Sequence, residues 1–191
     1  MAHIDWPLSG LHNQSNALAA VAAAFHVGVE PALAGEALSQ FGGVRRRMEL
    51  RATVGGVSVY DDFAHHPTAI ESTLHGARNA LQASASAGKL LAVIEPRSNT
   101  MRSGVHGEAL PASAEAADEV WWYLAEGTDT ALANAMQGRA HNHVENSIEA
   151  IVAGVSVRAS AGDCIVIMSN GGFAGIHAQV IERLQALVSS E

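Results

Sequence analysis

The stretch Lys89-Leu-Leu-Ala-Val-Ile94, followed directly by Glu95-Pro-Arg-Ser-Asn-Thr-Met101, decides the fold class. Its first part is an apolar run of strand length, and its second part is polar. A run without polar alternation is typical of a strand that is covered on both faces, as in a parallel sheet. The sequence therefore predicts a buried strand whose carboxyl end opens into a polar loop.

Further apolar runs repeat this pattern along the chain and alternate with predicted helices. The predicted strands are 49–54 and 57–60 around a Gly-Gly turn, 119–125 and 163–168. The predicted helices are 67–83, 105–117, 146–155 and 172–188. Strands that alternate with helices indicate a mostly parallel sheet with helices on both faces. The expected fold is an α/β domain of Rossmann-like type from residue 44 onward.

Residues 1–43 precede this pattern and differ from it. They contain two predicted helices, 17–25 and 31–40, which consist largely of alanine, valine and leucine. A hairpin this apolar needs more partners than so short a segment supplies. We therefore expect 1–43 to be the end of a different domain and 44–191 to be the α/β domain.

Composition and charge argue against several classes of function. The chain has 19 acidic and 11 basic residues and a formal net charge of −8, which disfavours a nucleic-acid-binding surface. No apolar run reaches the ~18 residues of a membrane helix, and the first residues form no charged leader before an apolar stretch. The one cysteine, Cys164, lies in an apolar run and is expected to pack in the core. We expect a cytoplasmic protein without a nucleic-acid or membrane partner.

The first polar motif is Gly10-Leu-His12-Asn13-Gln-Ser-Asn16, at the start of a predicted helix. Its imidazole and two amides are spaced to fall on one helix face, where they offer hydrogen-bond donors and acceptors. That set suits the edge of a purine. In the alternative interpretation, Asn13 and Asn16 only cap the helix, and the spacing leaves both readings open.

The second motif, Asp61-Asp62-Phe-Ala-His65-His66-Pro67, follows a strand and precedes a helix, where α/β sheets bind ligands. Two carboxylates and two imidazoles there can hold a ribose or a magnesium–phosphate group, or accept a proton. Alternatively, the two aspartates cap the turn and one histidine packs inside. A zinc site is a further alternative, but no third ligand follows at a diagnostic spacing.

Two more loops follow buried strands. In the first, Arg97 can bind a carboxylate through two parallel hydrogen bonds, and Ser98 and Asn99 add neutral polar groups. In the second, Ser169-Asn170-Gly-Gly-Phe173, small residues let a ligand approach backbone N–H groups at a helix start. A solvated turn is the alternative for the Arg97 loop, and the Ser169 loop does not match Gly-x-Gly-x-x-Gly, so it does not favour a dinucleotide site. Because the strands are parallel, we expect all three loops to line one crevice.

Four segments, taken together, resemble the Mur ligase family in their order and spacing. They are Gly10-Leu-His-Asn-Gln-Ser-Asn-Ala-Leu-Ala-Ala20, Phe41-Gly-Gly-Val-Arg-Arg-Arg-Met-Glu49, Tyr60-Asp-Asp-Phe-Ala-His-His-Pro-Thr-Ala69 and Glu95-Pro-Arg-Ser-Asn-Thr-Met101. They cover nearly the first 100 residues. The last two segments resemble the branch of the family that attaches a murein tripeptide to UDP-N-acetylmuramate, in peptidoglycan recycling.

The resemblance implies an enzyme that uses ATP and Mg²⁺ to make an acyl-phosphate on the muramyl carboxylate. The amine of the acceptor, L-alanyl-γ-D-glutamyl-meso-diaminopimelate, then attacks this group and phosphate leaves; a lysine tripeptide stays open as acceptor. By the family pattern, the site residues fall into three groups. They are His12, Asn13, Asn16, Arg47 and Asp62 for ATP, His65 and His66 near the reacting groups, and Arg97, Ser98, Asn99 and Asn170 for the peptide.

The family's phosphate loop, Gly-x-x-x-x-Gly-Lys-Ser/Thr, does not occur in these 191 residues. The resemblance therefore implies the carboxy-terminal portion of a three-domain ligase, which we expect to be inactive alone. In this interpretation, 1–43 contains the last helices of the central ATPase domain, and 44–191 is the Rossmann-like domain that binds the acceptor. Two alternatives remain: a non-catalytic module that binds a nucleotide or peptide, and a metal hydrolase built on the aspartates and histidines of the second motif.

Overall fold

The computed structural model describes residues 3–6, 8, 10–84 and 87–190. Residues 1, 2, 7 and 9 of the predicted amino-terminal part lie outside the described residues, as do 85, 86 and 191. The strands are β1 Glu49–Val54, β2 Val57–Asp62, β3 Leu90–Ile94, β4 Glu119–Tyr123, β5 Asn142–Glu145 and β6 Cys164–Met168. The helices are α1 Leu11–His26, α2 Pro31–Ser39, α3 Pro67–Ala83, α4 Asn99–Arg102, α5 Ala109–Ala112, α6 Thr130–Gln137, α7 Ile148–Arg158 and α8 Ile176–Val188.

The strands form one six-stranded sheet in the order β1-β2-β6-β3-β4-β5. The hairpin of β1 and β2 is antiparallel, and every other neighbouring pair is parallel. One core cluster contains Leu74 of α3 and Trp122 of β4, and the other contains Trp121 of β4 and Val180 of α8. Successive residues of β4 thus point to opposite faces, and helices cover both. The predicted fold class is confirmed.

The central strands end in register at one edge of the sheet. Asp62 at the end of β2 and Ile94 at the end of β3 both pair with Met168, the last residue of β6. Beyond this point, Ser169 N donates to Asp62 O at 3.2 Å, and Glu95 N donates to Met168 O at 3.0 Å. The loops after β2, β6 and β3 therefore leave the sheet side by side, as parallel topology requires.

The helices α1 and α2 form an apolar hairpin that buries little of its surface. Ala17 and Ala34 are buried, but Leu18 is 72% exposed and Phe25 is 61% exposed. A groove of about 410 Å³, lined by alanine, leucine and valine side chains, lies between the two helices. The hairpin therefore presents an apolar surface that the other described residues do not cover.

The start of α1 differs from the prediction. The helix begins at Leu11, directly after Gly10, whose φ of +93° is accessible to glycine. Asn13 and Asn16 consequently lie within the first turns, so the interpretation that they only cap the helix is wrong. Ser15, which lies between them, donates its hydroxyl to Leu11 O at 3.1 Å, a bond internal to the helix.

Other element boundaries also differ. The predicted helix 105–117 is reduced to α5, since Gly104 and Gly107 have positive φ values of +73° and +46° just before it. The closing helix starts at Ile176 rather than 172, because Ala174 and Gly175 adopt left-handed conformations. The elements α4, α6 and β5 were not predicted. Within the described ranges, no helix has both the length and the apolar character to cross a membrane.

Cys164, at the start of β6, is 5% exposed. Burial raises the pKa of its thiol to about 12, because an apolar environment disfavours the thiolate. The prediction that this cysteine packs in the core is confirmed.

Candidate functional site

A first cleft of about 530 Å³ opens between the start of α1, the loop 44–48 and the start of α3. This volume is in the range of small-molecule sites. The cleft brings together all five residues predicted to bind ATP and one of the two predicted catalytic histidines. These residues are His12, Asn13, Asn16, Arg47, Asp62 and His66.

Two local features place the start of α1 over α3. Gly10, with a φ of +93°, brings the chain close to the His12 ring, and a Cβ at Gly10 would lie 2.9 Å from its Cε1 atom. The Nδ1 atom of His12 lies 3.0 Å from Oγ of Ser72 on α3, within hydrogen-bond distance. His12 and Asn16 are exposed, while Asn13 is half-buried. The polar face of α1 is therefore presented to the cleft.

The loop before β1 supplies a cation. Arg47 is exposed, and its guanidinium carbon lies 5.7 Å from the centre of the Phe63 ring. Its neighbours Arg46 and Met48 have φ values of +58° and +48°. The first turns of α3 also line the cleft, and a helix amino end carries a partial positive charge. The cleft therefore suits a ligand with an anionic group.

Asp62 fixes the geometry of this loop. It is 2% exposed; its Oδ2 accepts from Met48 N and its Oδ1 from Ala64 N, both at 2.8 Å. Burial raises the pKa of this carboxyl, and the two backbone hydrogen bonds act in the opposite direction. This arrangement agrees with the alternative that Asp62 caps the turn, and a contact with ATP stays a prediction.

The two predicted catalytic histidines have different environments. His65 is half-buried, and its Nδ1 lies 2.9 Å from Phe63 O, a backbone atom of its own loop. His66 is exposed and lines the first cleft. Its ring is edge-on to that of His106, with centroids 4.8 Å apart. His106 lies outside the motifs quoted from the sequence, and the tertiary structure places its ring beside that of His66.

A second cleft, of about 450 Å³, opens from the loops after β3, β4 and β6. Arg97 lines it and lies across Gly171, where a Cβ would overlap the guanidinium. The small residue in the last loop therefore allows Arg97 to occupy this position. Glu95, Arg102 and Tyr123 also line the cleft, and sequence reasoning missed them. Glu95 begins the quoted motif that contains Arg97 and Arg102 directly follows it, and that proximity was the available signal.

The three other residues predicted to bind the peptide do not line this cleft. Ser98 Oγ accepts from Met101 N at 3.3 Å and begins α4. Asn99 Oδ1 accepts from Nη2 of Arg102 at 3.0 Å. Asn170 is half-buried, and within the described ranges its Oδ1 atom is buried without a hydrogen-bond partner. Ser98 and Asn99 thus shape the loop and hold Arg102, and direct binding by all three stays a prediction.

The two aspartates at the end of β2 do not fit a resident magnesium ion. Asp61 is 4% exposed, and its carboxylate lies 3.5 Å from Arg46, 3.8 Å from Arg51 and 3.2 Å from His177. The carboxylate of Asp62 already accepts backbone hydrogen bonds. In the part of the chain that the structure describes, no group of three or more histidine, cysteine, aspartate or glutamate side chains is placed to hold a metal ion.

The chain is an α/β domain with two clefts at the carboxyl edge of its parallel strands, where domains of this architecture commonly bind ligands. The sequence profile of the family described as "Mur ligase, glutamate ligase domain" matches residues 46–171. The chain therefore belongs to the Mur ligase family, and it contains the carboxy-terminal domain of that family.

Individual relatives agree with this assignment. The UDP-N-acetylmuramate–L-alanyl-γ-D-glutamyl-meso-2,6-diaminoheptandioate ligase of Escherichia coli K12 is 42% identical over 96% of this chain and 40% of its own length. The UDP-N-acetylmuramate–L-alanine ligase of Thermobifida fusca is 34% identical over 95% of this chain and 41% of its own length. The crystal structure of a murein peptide ligase from Psychrobacter arcticus matches 95% of this chain and 38% of that chain. The TM-score is 0.72 and the sequence identity is 45%. The chain thus spans about 40% of the length of the curated relatives it matches.

Proposed function

We propose that this chain is the carboxy-terminal, acceptor-binding part of an ATP-dependent ligase that joins a murein tripeptide to UDP-N-acetylmuramate. The observation that carries the proposal is that both clefts lie at the carboxyl edge of the sheet, the first beside the end of β2 and the second beside the ends of β6, β3 and β4. A ligase must hold an activated carboxylate and an amine in contact, which requires two neighbouring sites. Over nearly the whole chain, 96% and 95% of its length, the identity is 42% to a tripeptide ligase and 34% to an alanine ligase, and this difference supports the tripeptide as acceptor.

The reaction that we propose has two steps. An oxygen of the muramyl carboxylate attacks the γ-phosphorus of ATP, ADP leaves, and an acyl-phosphate forms. The amine nitrogen of the tripeptide then attacks the acyl carbon, the bond to the phosphate oxygen breaks, and the amine loses a proton. We assign the proton to His66, which faces the first cleft, and stabilisation of phosphate charge to Arg47. Arg97 would bind a carboxylate of the tripeptide.

Such a reaction needs a magnesium ion, but the two carboxylates at the end of β2 are already engaged by other groups of the protein. We therefore propose that its ligands, and the phosphate loop, belong to a part of the protein that precedes this chain. In the same proposal, residues 1–43 are the last helices of the ATPase domain, and 44–191 form the acceptor domain. The exposed apolar side chains of Leu18 and Phe25 support this division, because a neighbouring domain would cover them. We place the reaction in the cytoplasm, where ATP and UDP-linked precursors occur.

The same exposed surface disfavours the alternative function, a free-standing module that binds a nucleotide or peptide without catalysis. Such a module would need to cover its own apolar hairpin.

The decisive experiment compares this chain with the longer protein that would contain it. Release of phosphate from ATP is measured with UDP-N-acetylmuramate and the tripeptide L-alanyl-γ-D-glutamyl-meso-diaminopimelate, and the amide product is identified by mass spectrometry. We expect product from the longer protein only when both substrates are present, and none from this chain alone. A lysine tripeptide and L-alanine serve as alternative acceptors. Product with L-alanine but not with either tripeptide would contradict the proposal, as would turnover by this chain alone.

A further inference from the structure

The three consecutive arginines before β1 have three different environments. Arg45 is exposed, and Arg47 lines the first cleft. Arg46, between them, turns its side chain toward the loop that follows β6. Its Nη2 atom donates to the carbonyl oxygens of Ser169 at 2.6 Å and Gly171 at 2.7 Å. Both distances are short, as expected for a charged donor.

Arg46 is itself held from several sides. Its Nε lies 3.5 Å from Oδ1 of the buried Asp61, so one end of the guanidinium has a fixed anionic partner. Its backbone N donates to Glu49 Oε2, and its backbone O accepts from Phe63 N, both at 2.8 Å. The φ of +58° at Arg46 is uncommon for a residue with a side chain. These contacts stabilise an otherwise unfavourable backbone conformation.

The loop that Arg46 contacts is part of the second cleft. Gly171 lies directly beneath Arg97. Ser169 Oγ donates to a carboxylate oxygen of Glu95, and it accepts from Gly171 N at 2.9 Å. Arg97 and Glu95 both line the second cleft. One side chain therefore connects the loop that carries Arg47 with the loop that supports the predicted acceptor residues.

We propose that Arg46 is a positioning residue that sets the second cleft in register with the first. The inference rests on the proposed function and deepens it. The proposed reaction needs the two clefts at a fixed separation, and Arg46 connects the loops that form them. In a reaction between groups bound in two clefts, a shift of about 1 Å between them is enough to slow the chemistry strongly. Loss of the contact should therefore impair use of the acceptor while leaving binding of ATP nearly intact.

The test uses Arg46→Gln and Arg46→Lys in the longer protein, with Arg45→Gln as the matched control. Both glutamine variants remove one positive charge, and they lie at neighbouring positions of the same loop. We expect Arg46→Gln to raise the KM for the tripeptide about tenfold or more and to lower kcat, with a change below about threefold in the KM for ATP. Arg46→Lys, which keeps a charged donor, should restore part of the loss. In Arg45→Gln, kcat and both KM values should stay within about twofold of those of the unchanged protein, as is usual for an exposed position.

A second readout on this chain does not depend on the reaction. Hydrogen exchange of the backbone amides at 169–172 should accelerate in Arg46→Gln and remain unchanged in Arg45→Gln, with thermal unfolding as a check that both are folded. The proposal is overturned if Arg46→Gln matches Arg45→Gln in the KM for the tripeptide, or if the KM for ATP rises equally. If the unchanged longer protein shows no tripeptide-dependent turnover, the proposed function fails. The exchange comparison then still decides whether Arg46 holds the loop.

Discussion

The helical hairpin and the α/β sheet contain similarly apolar segments but bury them to opposite extents. On α3, Ile70 and Leu74 are fully buried against the sheet, whereas Leu18 and Phe25 on α1 are 72% and 61% exposed. A contiguous apolar surface of this kind marks a site of interaction. The sheet therefore completes its own core, while the hairpin leaves an exposed apolar face, which the proposed function assigns to contact with a neighbouring domain.

The two clefts follow the same division. The first cleft needs the polar face of α1 as well as the sheet, but the second is built from loops of the sheet alone. Changes in the hairpin should consequently alter the first cleft and leave the second intact. The contact between His12 and Ser72 is the link that joins the two regions at the first cleft.

The largest expected effect contrasts one leucine from each region. Leu74→Ala should lower the free energy of unfolding by about 2–5 kcal/mol, because it leaves a cavity between α3 and the sheet. Leu18→Ala should change it by less than about 0.5 kcal/mol, since its side chain is exposed. Urea unfolding followed by circular dichroism measures both. A cost for Leu18→Ala close to that of Leu74→Ala would show that the hairpin is covered in solution.

A smaller effect on the free energy of unfolding is expected for Asp62, at the end of β2, which holds the loop 44–48 of the first cleft. Asp62→Ala removes the acceptor of the Met48 and Ala64 amides and should cost about 1–3 kcal/mol, because buried amides lose their partner. Glu71→Ala, at an exposed position of α3, is the control and should stay within about 0.5 kcal/mol. Equal unfolding free energies for the two variants in urea would contradict the assigned role of Asp62.

The smallest expected effect is a pH dependence at His177, whose ring lies 3.2 Å from Asp61 at the end of β2. Burial lowers the pKa of His177 from its ordinary value of 6.5, although the nearby Asp61 acts in the opposite direction. The folded state therefore favours the neutral ring, and this contribution to stability is present above pH 6.5 and decreases as the pH falls below it. His177→Gln should be less sensitive to pH between 7.5 and 5.5, an interval of about one pH unit on either side of the ordinary pKa. The free energy of unfolding is measured in urea at several pH values. The same dependence of this free energy on pH in both proteins would refute the prediction.

The sequence predicted those parts of the fold where local pattern and tertiary environment agree. The strands β3, β4 and β6 are largely apolar runs because both sheet faces are covered. The helix α3 begins at Pro67, whose fixed φ favours the first helical position. The edge strand β5 escaped prediction because its four residues are only half-buried and have one neighbouring strand. Its sequence, Asn142-His-Val-Glu145, therefore has no apolar run to detect.

The candidate site was predictable to the extent that parallel topology brings loops to one edge. Arg97 and His66 lie in those loops and were predicted, whereas His12, Asn13 and Asn16 on α1 were predicted from the motif at the helix start. Arg46 was not, because its two carbonyl partners lie 123 and 125 residues away along the chain. His106 was missed for a similar reason, since only the packing of the loop before α5 brings it to His66.

Calorimetric titration of L-alanyl-γ-D-glutamyl-meso-diaminopimelate into this chain tests most directly whether the second cleft binds the peptide acceptor. Arg97→Ala is measured alongside, with Arg183→Ala on the exposed side of α8 as a control for loss of one charge. We predict saturable binding that Arg97→Ala weakens at least about tenfold, as expected for a lost charged hydrogen bond, and that Arg183→Ala leaves unchanged. No binding, or binding that survives Arg97→Ala, would contradict the assignment of the second cleft to the peptide acceptor.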